Sequence, residues 1–203
     1  MNLKGRKMHK LRERTPKRRT SPREVSRYNE YKKNLREDFN ARCGYCDDED
    51  IWTGKRFFHV DHFVPQKHLK TISDKEYSNL VYSCPYCNTH KGSDWPTKDE
   101  HLHNNGREGY VDVCLPQYDA QFYRTPGGEI FSRTDLGEYM YRKLKLFLRR
   151  HAVIWKLCKI NVQIEEIKKI LEEEKDPDLK EKHYNLLDKY WEYTHQLEEY
   201  NEE

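Results

Sequence analysis

The chain has little apolar material: hydrophobic residues make up 35% and charged residues 36%. That balance argues against one large core and favours a small core with long solvated helices. No apolar run approaches the length of a bilayer-spanning helix, so membrane insertion is not expected. The N-terminal segment MNLKGRKMHKLRERTPKRR lacks an apolar stretch and does not read as a secretory signal, so a cytoplasmic location is expected. No internal repeat, helix-turn-helix signature or additional zinc finger is visible. Yet aromatic content is 13%, with 15 Tyr, which is too high for a wholly disordered chain.

Charge is unevenly placed. Residues 1–27 hold eleven Lys or Arg, with Glu13 and Glu24 as their only acids, whereas residues 163–203 hold fourteen acids and six Lys. The two ends therefore suit different partners, and the basic end suits a polyanion. Residues 1–20 read as a flexible basic arm whose Arg18 and Arg19 would contact phosphate. Ser21, Pro22 and Glu24 resemble a helix start, which predicts a helix over 22–41. RFFHVDH reads as a strand, a short helix is expected from about Cys84, and FYRTPGGEIFSR reads as a hairpin turning at Pro126-Gly127-Gly128. From Gly137, apolar residues recur every three or four positions, break at KDPD (175–178), and resume to Tyr200. This predicts two long antiparallel helices, the first reaching ~55 Å at 1.5 Å per residue. The fold class is thus α+β, mainly helical: a basic arm over 1–20, a central domain over 21–135 with its motif core at 40–93, and a helical hairpin over 136–203. The hairpin is expected to serve self-association or a protein partner.

Four of the six cysteines fall in two CxxC pairs, Cys43/Cys46 and Cys84/Cys87. Each pair offers two thiolates to one tetrahedral ion, and Zn²⁺ binds four without redox chemistry. A structural zinc is therefore expected, pinning the chain near 43 to the chain near 87. Cys114 and Cys158 stand alone and receive no role.

Between the pairs lies FFHVDHFVPQKHLK, which sets Asp61 beside His62. Cleaving a phosphodiester requires charge neutralisation at phosphate and leaving oxygens, together with a base for the attacking water. Asp61 offers a hard anionic oxygen, Asn88 a neutral one, and the pair suits Mg²⁺ or Mn²⁺. His62 titrates near neutrality by type and can act as the base. Neighbouring residues on a strand face opposite sides, so the regular strand should end near Asp61. His59, two residues before Asp61, shares its face and could touch metal or phosphate.

The ordered set CGYC, VDHFVP, NLV, CPYCNTHKG resembles the HNH endonuclease family, the ββα-metal superfamily, in its four-cysteine form with Asn in the last motif position. The resemblance implies a metal-dependent nuclease acting on DNA, with His62 as general base and Asp61 and Asn88 as ligands of the catalytic metal. It implies Asn79 as the residue that orients the base and braces the loop, and Lys91 beside substrate phosphate. His90 is a second-ranked alternative to Asn88 as ligand. RNA is a substrate that the motif leaves open. The family also implies restriction or phage-defence settings, with an ATPase or sensor subunit as partner. A zinc-stabilised binding module without nuclease activity is the competing reading.

Overall fold

The computed structural model describes residues 8–202, with the side chains of the last few positions left aside. About half of the chain is helical, and its strands form two small antiparallel pairs. It divides into two compact units, residues 1–147 and 148–203. No described helix is long and apolar enough to cross a membrane.

In the first unit, a 3-10 turn at Tyr28–Tyr31 leads into α1 (Lys32–Asp38), followed by α2 (Asp50–Thr53). Strand β1 (His59–His62) pairs antiparallel with β2 (Leu80–Ser83), and α3 (Pro85–Lys91) follows directly. These three elements are the expected ββα arrangement. Cys84 caps α3 through its sulfur, which accepts from the Cys87 N–H at 3.4 Å, and Pro85 takes the first helical position. Next come α4 (Pro116–Ala120) and the hairpin β3 (Phe122–Arg124) and β4 (Ile130–Ser132), which turns where the sequence predicts. The last element of this unit is α5 (Asp135–Lys143), capped by the Thr134 hydroxyl. One core of Leu35, Phe39, Tyr45, Leu80, Val81, Tyr82, Val113, Tyr118, Phe122 and Met140, among others, binds these pieces together.

Three expectations change. The first seven residues of the expected arm lie outside the described residues, but residues 8–19 are folded onto the unit rather than flexible. Leu11 is fully buried, His9 pairs with Arg124 as an isolated bridge, and Arg12 is buried. The helix predicted from Pro22 begins only at Tyr28, because Glu30 closes on the Arg27 N–H (3.0 Å) and sets the start there. It also ends early, at Asp38, where Asn40 and Ala41 take left-handed backbone angles.

The third change is in the C-terminal run. It is not one helix from Gly137. The chain leaves helical geometry after α5, with Lys145 at φ 54°, and restarts as α6 (Arg149–Glu173). Leu144 and Leu146 are both buried, so tertiary burial breaks a periodicity that carries no Gly or Pro to announce the stop. The unit boundary accordingly falls at 147/148 rather than 135/136. The second unit is the expected antiparallel pair, α6 and α7 (Pro177–Glu202), joined across KDPD. Its seam includes Ile160, Ile164, Ile167, Leu171, Leu179, Leu186 and Tyr190. At 25 residues, α6 spans roughly 37 Å at 1.5 Å per residue, shorter than expected.

Candidate active site

Cys43, Cys46, Cys84 and Cys87 are all buried and free of disulfides, and their four sulfurs lie within 4.8 Å of one another. Cys46 and Cys84 sulfurs are 3.8 Å apart. A tetrahedral ion with Zn–S bonds near 2.3 Å requires S···S edges of roughly 3.8 Å. The donor set therefore fits zinc. Burial opposes ionisation of Cys43, but hydrogen bonds from the three facing thiols more than offset it and favour a thiolate there.

The first cysteine turn is held from outside. Gly44 sits where a Cβ would lie 2.7 Å from the Phe39 ring and 2.8 Å from Val81, so only glycine fits. Its N–H donates to the Tyr82 carbonyl at 2.8 Å, tying the turn to β2. The carbonyls of Gly44, Tyr45 and Cys46 accept from Arg12 (2.9 Å), the Tyr118 hydroxyl (2.8 Å) and Arg124 (2.8 Å). Arg124 also donates to the carbonyls of Leu11 and Gly128, both at 2.8 Å. Buried guanidiniums have the donors to satisfy several carbonyls at once.

That turn presents Tyr45, whose hydroxyl donates to Asp61 Oδ2 at 2.5 Å. Burial first, then the Asp61 charge, pushes the Tyr45 phenol well up, which keeps it a donor. Lys91, at the end of α3, places Nζ 3.2 Å from the same oxygen and donates to the His62 carbonyl at 2.8 Å. The Lys91 side chain is 0% exposed. It is therefore the buried counter-ion of Asp61, not a contact for substrate phosphate as the family resemblance implies. Asp61 Oδ1 keeps only a long 3.5 Å contact with Lys91. A carboxylate oxygen can take stronger partners than that, so Oδ1 suits a hard cation.

Strand β1 runs one residue further than expected, through His62. The His62 ring meets the edge of Tyr28 at 4.6 Å between centroids. Its Nε2 lies 2.8 Å from the carbonyl of Asp74. A carbonyl only accepts, so Nε2 carries a proton, and the tautomer this selects has its lone pair on Nδ1. The Asn79 side chain makes its hydrogen bonds elsewhere than to the ring. It grips the backbone of Val64, two residues beyond, accepting from its N–H at 2.8 Å and donating to its carbonyl at 3.1 Å. These bonds brace the backbone that follows β1.

Asp61, His62, Asn88 and His59 line one polar cavity of about 720 Å³, which Tyr28, Asn29, Lys32, Arg56, Lys67 and Ser93 also line. Burial, then the charge of Lys32, lowers the pKa of His59, so it faces this space neutral. His90 is absent from the lining. Its Nδ1 bonds back to the Tyr86 carbonyl at 2.7 Å on the exposed side of α3. The alternative ligand is thereby disfavoured.

Arg18 and Arg19, read from sequence as phosphate contacts, are engaged internally. Arg18 donates to the Leu80 carbonyl at 2.7 Å and holds both oxygens of Asp112 at 2.9 Å. Arg19 pairs with Asp38 at 2.8 Å and Glu37 at 3.0 Å. The basic residues that do face the cavity, Lys32, Arg56 and Lys67, were given no role in the sequence reading. Tyr45, Tyr28 and the Asp74 carbonyl were missed as well. A tyrosine inside a CxxC turn is the one signal that pointed toward the first of them.

Residues 43–94, about a quarter of the chain, match the family model of HNH endonuclease. No curated protein and no solved structure matches the chain. The ββα order and the four-cysteine cluster over residues 43–94 are consistent with the family match and with a zinc-binding form of the family.

Proposed function

We propose that the chain is a metal-dependent endonuclease that hydrolyses phosphodiester bonds of DNA. The observation that carries this reading is the joint placement of Asp61, His62 and Asn88 on one cavity, with His62 Nε2 committed to the Asp74 carbonyl. His62 Nδ1 then takes a proton from water as the water oxygen attacks phosphorus and the P–O3′ bond breaks. Tyr45 and Lys91 fix Asp61, and Asn79 fixes the loop that follows the base. Asp61 and Asn88 would hold Mg²⁺ or Mn²⁺, which supplies charge neutralisation at the phosphate and leaving oxygens. Lys32, Arg56 and Lys67 line the same space and would hold flanking phosphates.

We read the second unit as a mount for a protein partner or a second copy. Exposed Tyr184 and Trp191, seven positions apart on α7, support that role. The test of the nuclease reading is nicking of supercoiled plasmid with Mg²⁺ or Mn²⁺. The expected result is cutting by the parent and a loss of ~10²-fold or more with His62→Ala. Equal nicking by both would remove His62 from the mechanism. Retained DNA binding with no cutting under either metal would favour the binding-module reading instead.

A further inference from the structure

The β3–β4 hairpin carries a second feature that the nuclease site does not use. Phe122, Arg124 and Ile130 are buried, so the period of two turns Tyr123 and Phe131 to the outer face, where they sit directly opposite each other. Their rings are 5.8 Å apart with planes 21° from parallel. Phe131 continues to Tyr141 of α5 at 6.3 Å and 18°, and Tyr141 to Phe147 at 5.7 Å. Phe131 remains 42% exposed and Phe147 46% exposed. Four connected rings thus run from β3 to the end of the first unit.

Cations flank this row. The Arg133 guanidinium lies 4.8 Å over the Tyr123 ring, and Lys145 Nζ lies 5.3 Å from the Phe147 centroid. Of the acids on these elements, Glu129 is engaged by Thr125, and Glu138 by Arg142 (2.6 Å) and Ser132 (2.7 Å), while Asp135 begins α5. An aliphatic protein surface would gain little from cations held over rings. A strand of unpaired nucleotides gains from both features, because bases stack on aromatic faces and phosphates meet the cations. A duplex hides its base faces and offers only its phosphates.

We infer that the Tyr123–Phe131–Tyr141–Phe147 row, with Arg133 and Lys145, is a binding platform for a single-stranded polynucleotide. The choice of nucleic acid over protein leans on the nuclease reading, but the platform is separate from the cleavage chemistry and is read by binding alone.

The experiment uses the full chain carrying His62→Ala, so that probes stay intact, and measures fluorescence anisotropy with a short labelled oligothymidylate. Probes of the same length as a duplex and with abasic sites in place of bases serve as controls. The double substitution Phe131→Ala/Phe147→Ala should weaken oligothymidylate binding by about 10- to 100-fold. Duplex binding should change by less than about 2-fold, since phosphate contacts remain. The abasic probe should bind the parent about as weakly as oligothymidylate binds the alanine pair. Phe131→Trp should retain affinity, which guards against a folding artefact, as should unchanged zinc content. The inference is overturned if the parent does not bind oligothymidylate, binds it no better than the abasic probe, or is unaffected by the alanine pair. Plasmid nicking by the unsubstituted chain reports the nuclease reading separately.

Discussion

The two units solve the same shortage of apolar residues in opposite ways. In the second, Ile164, Ile167 and Leu186 anchor a conventional seam of apolar side chains at helical spacing. In the first, an apolar core is supplemented by individual buried polar groups: four thiols, two buried arginines, and Lys91 under Asp61. Apolar seams tolerate exchange of one aliphatic for another, whereas a buried polar group that loses its partner leaves the other stranded. Fragility and function should therefore concentrate before residue 148.

Four substitutions sharpen or break that contrast. The largest effect is expected from Cys84→Ser, which removes a zinc ligand and the sulfur cap of α3 together. The first unit should lose zinc and its cooperative unfolding transition, while far-UV dichroism keeps the α6–α7 contribution. Full zinc with full helicity would refute the four-cysteine site. Lys91→Met should come next. It strands the buried Asp61 carboxylate, at a cost of about 3–5 kcal/mol. If Asp61 holds a divalent cation, added Mg²⁺ or Mn²⁺ should recover part of the loss in thermal melting. Recovery by neither ion would count against Asp61 as ligand.

Ile167→Ala should cost about 2–4 kcal/mol through its cavity and lost burial. The prediction specific to the comparison is that zinc content stays at the parent level. Loss of zinc in this variant would show that the units are not separable in energy. The smallest effect is expected at Glu100, whose carboxylate accepts from the Lys70 N–H (2.6 Å) and from Thr71, which pulls its pKa down to about 2. Its folded pKa is below the unfolded value, so its stabilisation is present above about pH 4.5 and lost as pH falls toward 2. The stability gap between parent and Glu100→Gln should therefore narrow over that interval in acid titrations. A constant gap would place the Glu100 contribution outside charge.

The comparison also explains what could be read from sequence. The cysteine pairs, the Asp61-His62 step, α3 starting beside Cys84 and the PGG turn were legible because local spacing specifies each of them. The seam of α6 and α7 was legible for the same reason. Residues 8–19 were misread because a lysine- and arginine-rich run looks solvated. Its partners, Val113 for Arg12 and Asp112 for Arg18, lie roughly a hundred positions away. The Asp74 carbonyl that sets the His62 tautomer has no side-chain signature at all. Lys91 was placed beside substrate phosphate by resemblance, and nothing local indicates that Asp61 waits beneath it. The stop at Lys145 was invisible for a related reason: the burial of Leu144 and Leu146 overrides a local helical preference.

The three external donors on the first cysteine turn have a practical consequence. Gly44, Tyr45 and Cys46 lend their carbonyls to residues at positions 12, 118 and 124, all beyond the stretch that the family model spans. A minimal fragment cut to that stretch would expose three severed anchor points around its metal clamp. A fragment meant to keep the clamp intact should retain both flanks, from before Leu11 to beyond β4, because the residues that anchor the turn reach past the recognisable motif.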